Sequence, residues 1–315
     1  MVAIFFLRME PHPLLEKSEK TLSDFLGTAT NSFFPLTFAP RTQTETHGKS
    51  FFLPKRITIS HVVGTGQGIG FGTDYSTVDV LFASIYRPGR FVPMIDLRGH
   101  RFDDNTYAAN VGLIVRYIPE PNTFCQMLGF NMYYDYRQGV KGHYNQLGLG
   151  IEALGKRVDF RGNAYLPISK MKHVTNCTFD QYIGDYYIHY RSEESVAYGF
   201  NAEVGYLIVR SDRFLLYSAA GPYYLSKKNN MNTQGWEFRL RPQYKDYLAV
   251  DLELSYDPLF NWIFQGRFIL SLPLYQIACK KNEAPCGLTN RQIYQPIERF
   301  EIIPLRRRCC VDSNF

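Results

Sequence analysis

The feature that most constrains the fold is an alternation of apolar and polar side chains that runs from residue 69 to residue 272. Successive side chains of a strand point to opposite faces of a sheet, so a period of two predicts strands with one apolar and one polar face. The segment Tyr247–Tyr256 is the clearest case. Its apolar face carries Leu248, Val250, Leu252, Leu254 and Tyr256.

The alternating region divides into twelve segments, most of them ten or more residues long. Strands of soluble proteins average about five or six residues, whereas a tilted strand that crosses a bilayer needs about 9–11. An even number of strands also closes an antiparallel barrel without an open edge. We therefore predict an all-β fold, a transmembrane antiparallel β-barrel of about 12 strands. The predicted strands are 69–84, 90–103, 105–117, 123–136, 143–153, 156–167, 179–190, 195–206, 212–224, 233–243, 247–257 and 261–272.

Aromatic residues make up 16% of the chain, and the 45% of hydrophobic residues are dispersed rather than gathered into a run long enough for a spanning helix. This composition excludes a disordered chain and a helical membrane protein. Alternation alone also fits a soluble sandwich, but aromatic rings near strand ends are typical of membrane barrels. The rings expected there are Tyr117, Tyr134, Tyr136, Tyr190, Tyr206, Tyr223, Tyr224, Tyr244, Tyr247, Tyr256 and Trp262.

The polar faces of the strands would line the lumen of such a barrel, and they carry more acids than arginines. The eleven acids are Asp74, Asp79, Asp96, Asp135, Glu152, Asp159, Asp185, Glu203, Glu237, Asp251 and Glu253. The seven arginines are Arg98, Arg116, Arg161, Arg191, Arg239, Arg241 and Arg267. A net acidic lumen of this kind suits water or a positively charged segment of the same chain.

Glycine recurs at every second position in Gly64, Gly66, Gly68, Gly70 and Gly72. The spacing is not that of a phosphate-binding loop, and no helical pattern follows it. We interpret the row as a strand with one bare face, which leaves room for an element inside the lumen.

The net charge of +6 is concentrated in the basic tail Arg306–Arg308 and in Lys280 and Lys281. Because a broad basic face is missing, nucleic-acid binding is not expected. The six cysteines form no C-x-x-C pair, and neither a metal site nor a cofactor is predicted. The adjacent Cys309 and Cys310 suit intermolecular disulfides.

Three stretches, Gly129–Tyr136, Asn145–Glu152 and Val158–Pro167, resemble the strand motifs of intimin/invasin-type inverse autotransporter β-domains. The resemblance covers roughly residues 60–303 and keeps the order of the motifs. It implies a twelve-stranded barrel in the bacterial outer membrane. It also implies two partners, outer-membrane lipid and the barrel-assembly machinery.

The family resemblance further implies that a segment after the last strand runs back through the lumen. Leu288–Ile303 matches such a segment, with Arg291, Pro296 and Arg299 as the residues expected to plug the lumen. Our hypothesis pairs Arg299 with an acid such as Asp251 or Glu253. An ordinary periplasmic tail is the alternative.

The predicted organisation is an irregular segment over residues 1–60, the barrel over 61–273, and a linker, plug and short basic tail over 274–315. Only Pro304–Phe315 follow the threading segment, so the passenger domains of the family are not expected here. The apolar stretch Ala3–Leu7 is shorter than the core of a signal peptide. The sequence as read therefore predicts no export signal.

The function predicted from these features is that of a non-catalytic translocator and anchor, which exposes its own C-terminal segment or is plugged by it. A small porin-like channel is the first alternative. A lipolytic enzyme, which a serine-reactive probe would detect, is the second. That chemistry needs a serine activated by a histidine, and the sequence lacks the usual motifs for it. We interpret His100 as a polar residue at a strand end.

Overall fold

The structure is a computed structural model, and all the residues it describes lie within the compact unit Ser50–Phe315. The described residues are 52–64, 69–84, 90–119, 126–139, 142–169, 172–183, 186–211, 213–227, 231–274 and 293–313. Of the predicted irregular segment 1–60, residues 1–51 lie outside them, as do Asp185 and Arg291.

The described residues form long strands, most of them of ten residues or more. They are β1 (Phe52–Gly64), β2 (Tyr75–Ser84), β3 (Phe91–Phe102), β4 (Tyr107–Tyr117), β5 (Met127–Gln138), β6 (His143–Leu154), β7 (Val158–Pro167), β8 (Lys172–Ile183), β9 (Tyr186–Val196), β10 (Tyr198–Arg210), β11 (Phe214–Lys227), β12 (Met231–Tyr244), β13 (Leu248–Asp257), β14 (Asn261–Pro273) and β15 (Leu305–Ser313).

Twelve of these strands close into a barrel in the order β1-β14-β13-β12-β11-β10-β7-β6-β5-β4-β3-β2. Neighbouring strands are antiparallel, and the seam is formed by β1 and β14, for example through Ile59 opposite Leu270. The predicted fold, an all-β antiparallel barrel of twelve strands, is confirmed. Among the described residues, no helix is long and apolar enough to cross a bilayer.

The set of strands that builds the barrel differs from the predicted set at two places. β1 begins at Phe52, inside the segment predicted to be irregular, so the barrel starts before residue 61. The predicted strand 179–190 is not part of the barrel, because β8 and β9 form a hairpin outside it. These two differences cancel, which is why the predicted number of strands is still correct.

A second, three-stranded sheet has the order β15-β9-β8. The segment predicted as a basic tail is therefore a strand, whose main chain pairs with β9 along its whole length from Leu305 to Ser313. In this pairing Cys309 lies opposite Ser192 and Cys310 opposite Arg191. Intermolecular disulfides through these two cysteines stay a prediction.

Burial follows the predicted alternation, with the apolar face turned outward. Along β4 every second residue is exposed, from Tyr107 through Val111 to Val115, while Asn110 and Arg116 are buried inside. The outward rings include Trp262, which packs against Tyr256 with ring centroids 4.8 Å apart. Tyr223, expected among them, is instead 1% exposed and faces the lumen.

The glycine row does not form one continuous strand. β1 ends at Gly64, and Gly70 lies in a turn with a left-handed backbone, φ 78°. This turn contacts the last described part of the chain, because the Gly70 carbonyl accepts a hydrogen bond of 3.1 Å from the Leu305 main-chain NH. Among the described glycines of the row, the expectation of room for a lumenal element fits Gly70.

Candidate functional site in the barrel lumen

Residues 293–304, here called the plug, run through the lumen. The plug begins near Arg116, at the end of the barrel where short turns join β6 to β7 and β12 to β13. We call that end the short-turn rim. The plug leaves the lumen beside Gly70, at the opposite end of the barrel. That end carries the β8–β9 hairpin and is here called the hairpin rim. Ten to twelve extended residues span at most about 33–43 Å, which is enough to cross the bilayer.

The barrel wall binds the main chain of the plug through its carbonyl oxygens. Arginines and asparagines on β1, β3, β4, β5 and β7 donate these hydrogen bonds. The donor and acceptor pairs are Arg56 with Tyr294 (2.5 Å), Arg116 with Ile293 (2.5 Å) and Gln295 (3.1 Å), Arg98 with Ile297 (3.0 Å), Asn163 with Glu298 (3.2 Å), Asn110 with Glu301 (2.9 Å), and Arg137 with Ile303. Because a carbonyl is present in every residue, this contact depends on the course of the backbone and not on the side chains of the plug.

An apolar cluster seats the plug near the short-turn rim. Ile293, Tyr294 and Ile297 pack there against buried side chains of β2 to β6, such as Met94 and Ile114. The cluster departs from the polar lumen that the alternation predicts. The sequence indicates this cluster where the alternation is lost at strand ends. In the adjacent apolar pair Leu81 and Phe82, for example, an apolar residue stands on the inner face as well as on the outer one.

Arg299 forms a buried ion pair with Asp135 of β5, and both side chains are almost fully enclosed. Two parallel hydrogen bonds of 2.8 and 2.5 Å join the guanidinium to the carboxylate. The hypothesis that Arg299 pairs with Asp251 or Glu253 is therefore wrong. The guanidinium also lies 4.3 Å from the ring centroid of Tyr133. Gly148 on β6 makes the space, since a Cβ there would come within 2.6 Å of it.

Glu298 reaches the opposite wall of the barrel. Its two carboxylate oxygens each accept from one arginine of β12, Arg239 at 2.5 Å and Arg241 at 2.5 Å. These arginines are held in turn by wall carboxylates, Glu203 beside Arg239 and Asp251 beside Arg241. Five charged side chains thus form one chain of ion pairs across this part of the lumen.

Glu301 binds near the hairpin rim. Its carboxylate pairs with Arg267 at 2.5 Å and with Arg98 at 3.1 Å, and it accepts a hydrogen bond of 3.3 Å from Tyr75. The plug was expected to bring positive charge into an acidic lumen. Its described part carries two glutamates and one arginine, so wall arginines supply most of the attraction.

The other predicted lumen residues also face inward. Glu152 binds Arg116 at 2.6 Å, and Arg161 bridges Asp159 at 3.1 Å and Glu203 at 2.9 Å. Glu237 and Glu253 line a cavity beside the plug together with Pro296. Arg191 belongs to β9 and so is not on the barrel wall.

Sequence reasoning missed several residues that hold the plug. Arg56 lies in the segment predicted to be irregular, and Arg137 lies one residue beyond the predicted end of its strand. Asn110 and Asn163 are uncharged and so fall outside the prediction of charged lumen residues, although they stand on the polar faces of their strands. Their positions on the polar face of the alternating pattern indicate that both side chains point into the lumen.

His100 lies near the end of β3, as interpreted from the sequence, and its side chain is buried in the lumen. Its Nδ1 lies 2.8 Å from Thr77 Oγ1 and its Nε2 lies 2.5 Å from Asn110 Oδ1. The amide nitrogen of Asn110 donates both to Asp135 and to the main-chain carbonyl of Glu301. This network therefore orients a residue that holds the plug. Within the described part of the chain, no cluster of three or more potential metal ligands occurs.

A known protein family matches the part of the chain that forms much of the barrel wall. Residues 73–210 match the family described as inverse autotransporter, beta-domain. The match confirms the predicted family. The similarity to this family, together with the closed barrel, places the protein in the bacterial outer membrane. Residues 73–210 include most of the strands that donate hydrogen bonds to the plug. No curated protein matches the chain.

Solved structures are similar to this chain at low sequence identity. A chain solved in work on the in-meso crystallization of membrane proteins is 16% identical, with a TM-score of 0.51 over 80% of this chain and 100% of the other. An outer membrane channel from Pseudomonas putida F1 is 12% identical, with a TM-score of 0.43 over 73% of this chain and 100% of that one. The KdgM porin is 7% identical, with a TM-score of 0.40 over 69% and 97%.

Proposed function

We propose that this outer-membrane barrel is a non-catalytic translocator and anchor, whose lumen is plugged by residues 293–304 and whose strand β15 is held beyond the hairpin rim. The observation that carries the proposal is the row of wall donors bound to main-chain carbonyls of the plug. A wall that binds carbonyls accepts an extended chain of many sequences, which is what a translocating lumen requires.

Two further features support a plug in this role. The buried pair of Arg299 and Asp135 fixes the plug on one side of the lumen, and the ion pairs of Glu298 fix it on the other. Beyond the rim, the pairing of β15 with β9 gives the emerging chain a defined place, as strand addition does in other proteins.

Planar-bilayer conductance tests the plug. We expect the variant that lacks residues 285–315 to conduct much more than the full chain, because the lumen then loses the segment that fills it. Heat-modifiable gel mobility of both forms serves as the control that the barrel itself is folded. Equal conductance of two folded forms would contradict the proposal.

A further inference from the structure

The plug contacts the two sides of the barrel in different ways. β1, β3, β4, β5 and β7 bind its main chain and its apolar side chains. β12 and β14 reach it through long arginine side chains, which pair with Glu298 and Glu301. On this side the plug meets the wall through side chains of both partners, and cavities remain between the plug and the wall.

That space takes the form of cavities that follow one another along the plug. The cavity nearest the short-turn rim, here the turn-side cavity, is lined by Tyr217, Ser271 and Tyr294, among others. The next, here the central cavity, is lined by Ser255, Glu237 and Glu253, among others. A third opens at the hairpin rim beside Gly70 and Leu305, and it shares Phe71 with the central cavity.

One group of residues separates the turn-side cavity from the central cavity. Arg241, Ile269, Pro296 and Glu298 line both of them. Glu298 is the member that comes from the plug and carries charge, and it binds Arg239 and Arg241 at once. The ion pairs of Glu298 therefore form the partition between two polar spaces.

The charges that line the turn-side cavity are mostly positive. Its basic residues are Arg56, Lys156, Arg157, Arg161, Arg210 and Arg241, against the acids Asp159, Asp246 and Glu298. Removing the carboxylate of Glu298 would leave six basic residues against two acids in this cavity. An electrostatic lining of this sign attracts small anions. The central cavity is lined by six acids and five arginines, so the loss of Glu298 leaves its charges balanced and the turn-side cavity sets the sign of the ion that the path favours.

We propose that a path for small monovalent anions runs beside the plug and is closed at one point, the bridge of Glu298 between Arg239 and Arg241. The path rests on the proposed role of residues 293–304 as a plug, since it is the space that this plug leaves. Opening it needs the loss of the bridge and not the departure of the plug.

The test compares the full chain with Glu298→Ala in planar bilayers containing potassium chloride. We expect a several-fold rise in single-channel conductance and a reversal potential that indicates chloride over potassium. The matched control is Glu193→Ala, because Glu193 pairs with Lys172 in the sheet outside the barrel and lines none of the three cavities. Its conductance should equal that of the unchanged chain. Should Glu298→Ala fail to fold, Glu298→Gln removes the same charge with little change in shape.

Trypsin reports whether the plug has stayed in the lumen. The side chain of Arg299 is 2% exposed, so cleavage after it requires the plug to leave. A rise in conductance with Arg299 protected supports the path. A rise accompanied by cleavage at Arg299, or no rise in a folded variant, would overturn it. If deletion of 285–315 raises conductance while Glu298→Ala does not, the path is wrong and the plug stands; if the deletion has no effect, the plug itself is wrong.

Discussion

Charged side chains inside this lumen are stable because each is matched to a partner with good geometry. The pair of Arg299 and Asp135 shows the balance, since a buried ion pair must offset the loss of hydration of both groups. Two parallel hydrogen bonds, the face of Tyr133 and the amide of Asn110 all contribute to that offset. Removing one member leaves the other charge enclosed without its partner.

We expect Arg299→Ala to weaken the seating of the plug by about 3–5 kcal/mol, the usual cost of breaking a buried pair. The measurement is the urea dependence of chymotrypsin cleavage after Phe300, which stacks on Tyr165 with ring centroids 5.5 Å apart. The double variant Arg299→Ala/Asp135→Asn should recover most of the loss, because it leaves no unpaired charge. Equal susceptibility of the single and double variants would count against the pair.

At the scale of elements, the turn after β1 is fitted to the chain that leaves the lumen. Gly70 has a left-handed φ, and a Cβ at this position would lie 2.5 Å from Pro304 Cα and from the Leu305 nitrogen. Any side chain other than hydrogen therefore meets main-chain atoms, which cannot rotate away. The turn and the exit of the plug depend on one another.

Gly70→Ala should consequently destabilise the exit of the plug, by about 1–3 kcal/mol for a strained backbone conformation. Gly72→Ala is the matched control, because a methyl group there would have no atom within 4 Å and the φ of Gly72 is not in the left-handed region. The same proteolysis in urea measures both. If the two variants are cleaved with similar urea midpoints, the close approach of Gly70 to Pro304 and Leu305 does not contribute to stability.

The sequence predicts the barrel strands well wherever one face must meet lipid. β1 escaped prediction because Pro54 and a shift of register before Arg56 interrupt its alternation. The segment 179–190 was misassigned for the opposite reason: it alternates, although it covers the end of β8 and the start of β9. Beyond it, the same face of β9 continues into Ser192 and Glu194, which are unfavourable against lipid. The sequence could not predict the partner of Arg299, because that partner depends on the position of the plug along the lumen.

At the scale of the whole molecule, the outward apolar faces form a continuous band closed by the seam of β1 and β14. A residue near the middle of this band and a residue at its edge differ in depth within the bilayer. Val111 lies midway along β4 and Tyr107 at its end, and both side chains are exposed on the outer face. The two positions allow the orientation of the barrel wall to be tested.

We expect Val111→Arg to lower the free energy of unfolding by about 2–4 kcal/mol, and Tyr107→Arg by about 0–1 kcal/mol, because the cost of an arginine falls toward the interface. Guanidinium unfolding in lipid vesicles measures both. If the two substitutions cost the same, the outer face of β4 does not lie against hydrocarbon.

Because the wall binds the plug through its main-chain carbonyls, the plug can contain residues that lack an amide hydrogen. Proline lacks the amide hydrogen but keeps its carbonyl, so a wall that offers donors does not discriminate against it. Pro296 and Pro304 both stand in the threaded stretch, where the wall binds carbonyls and so makes no use of the amide hydrogen that proline lacks. The lumen thus permits a stiff, proline-containing chain that has little tendency to form sheet with the wall as it passes.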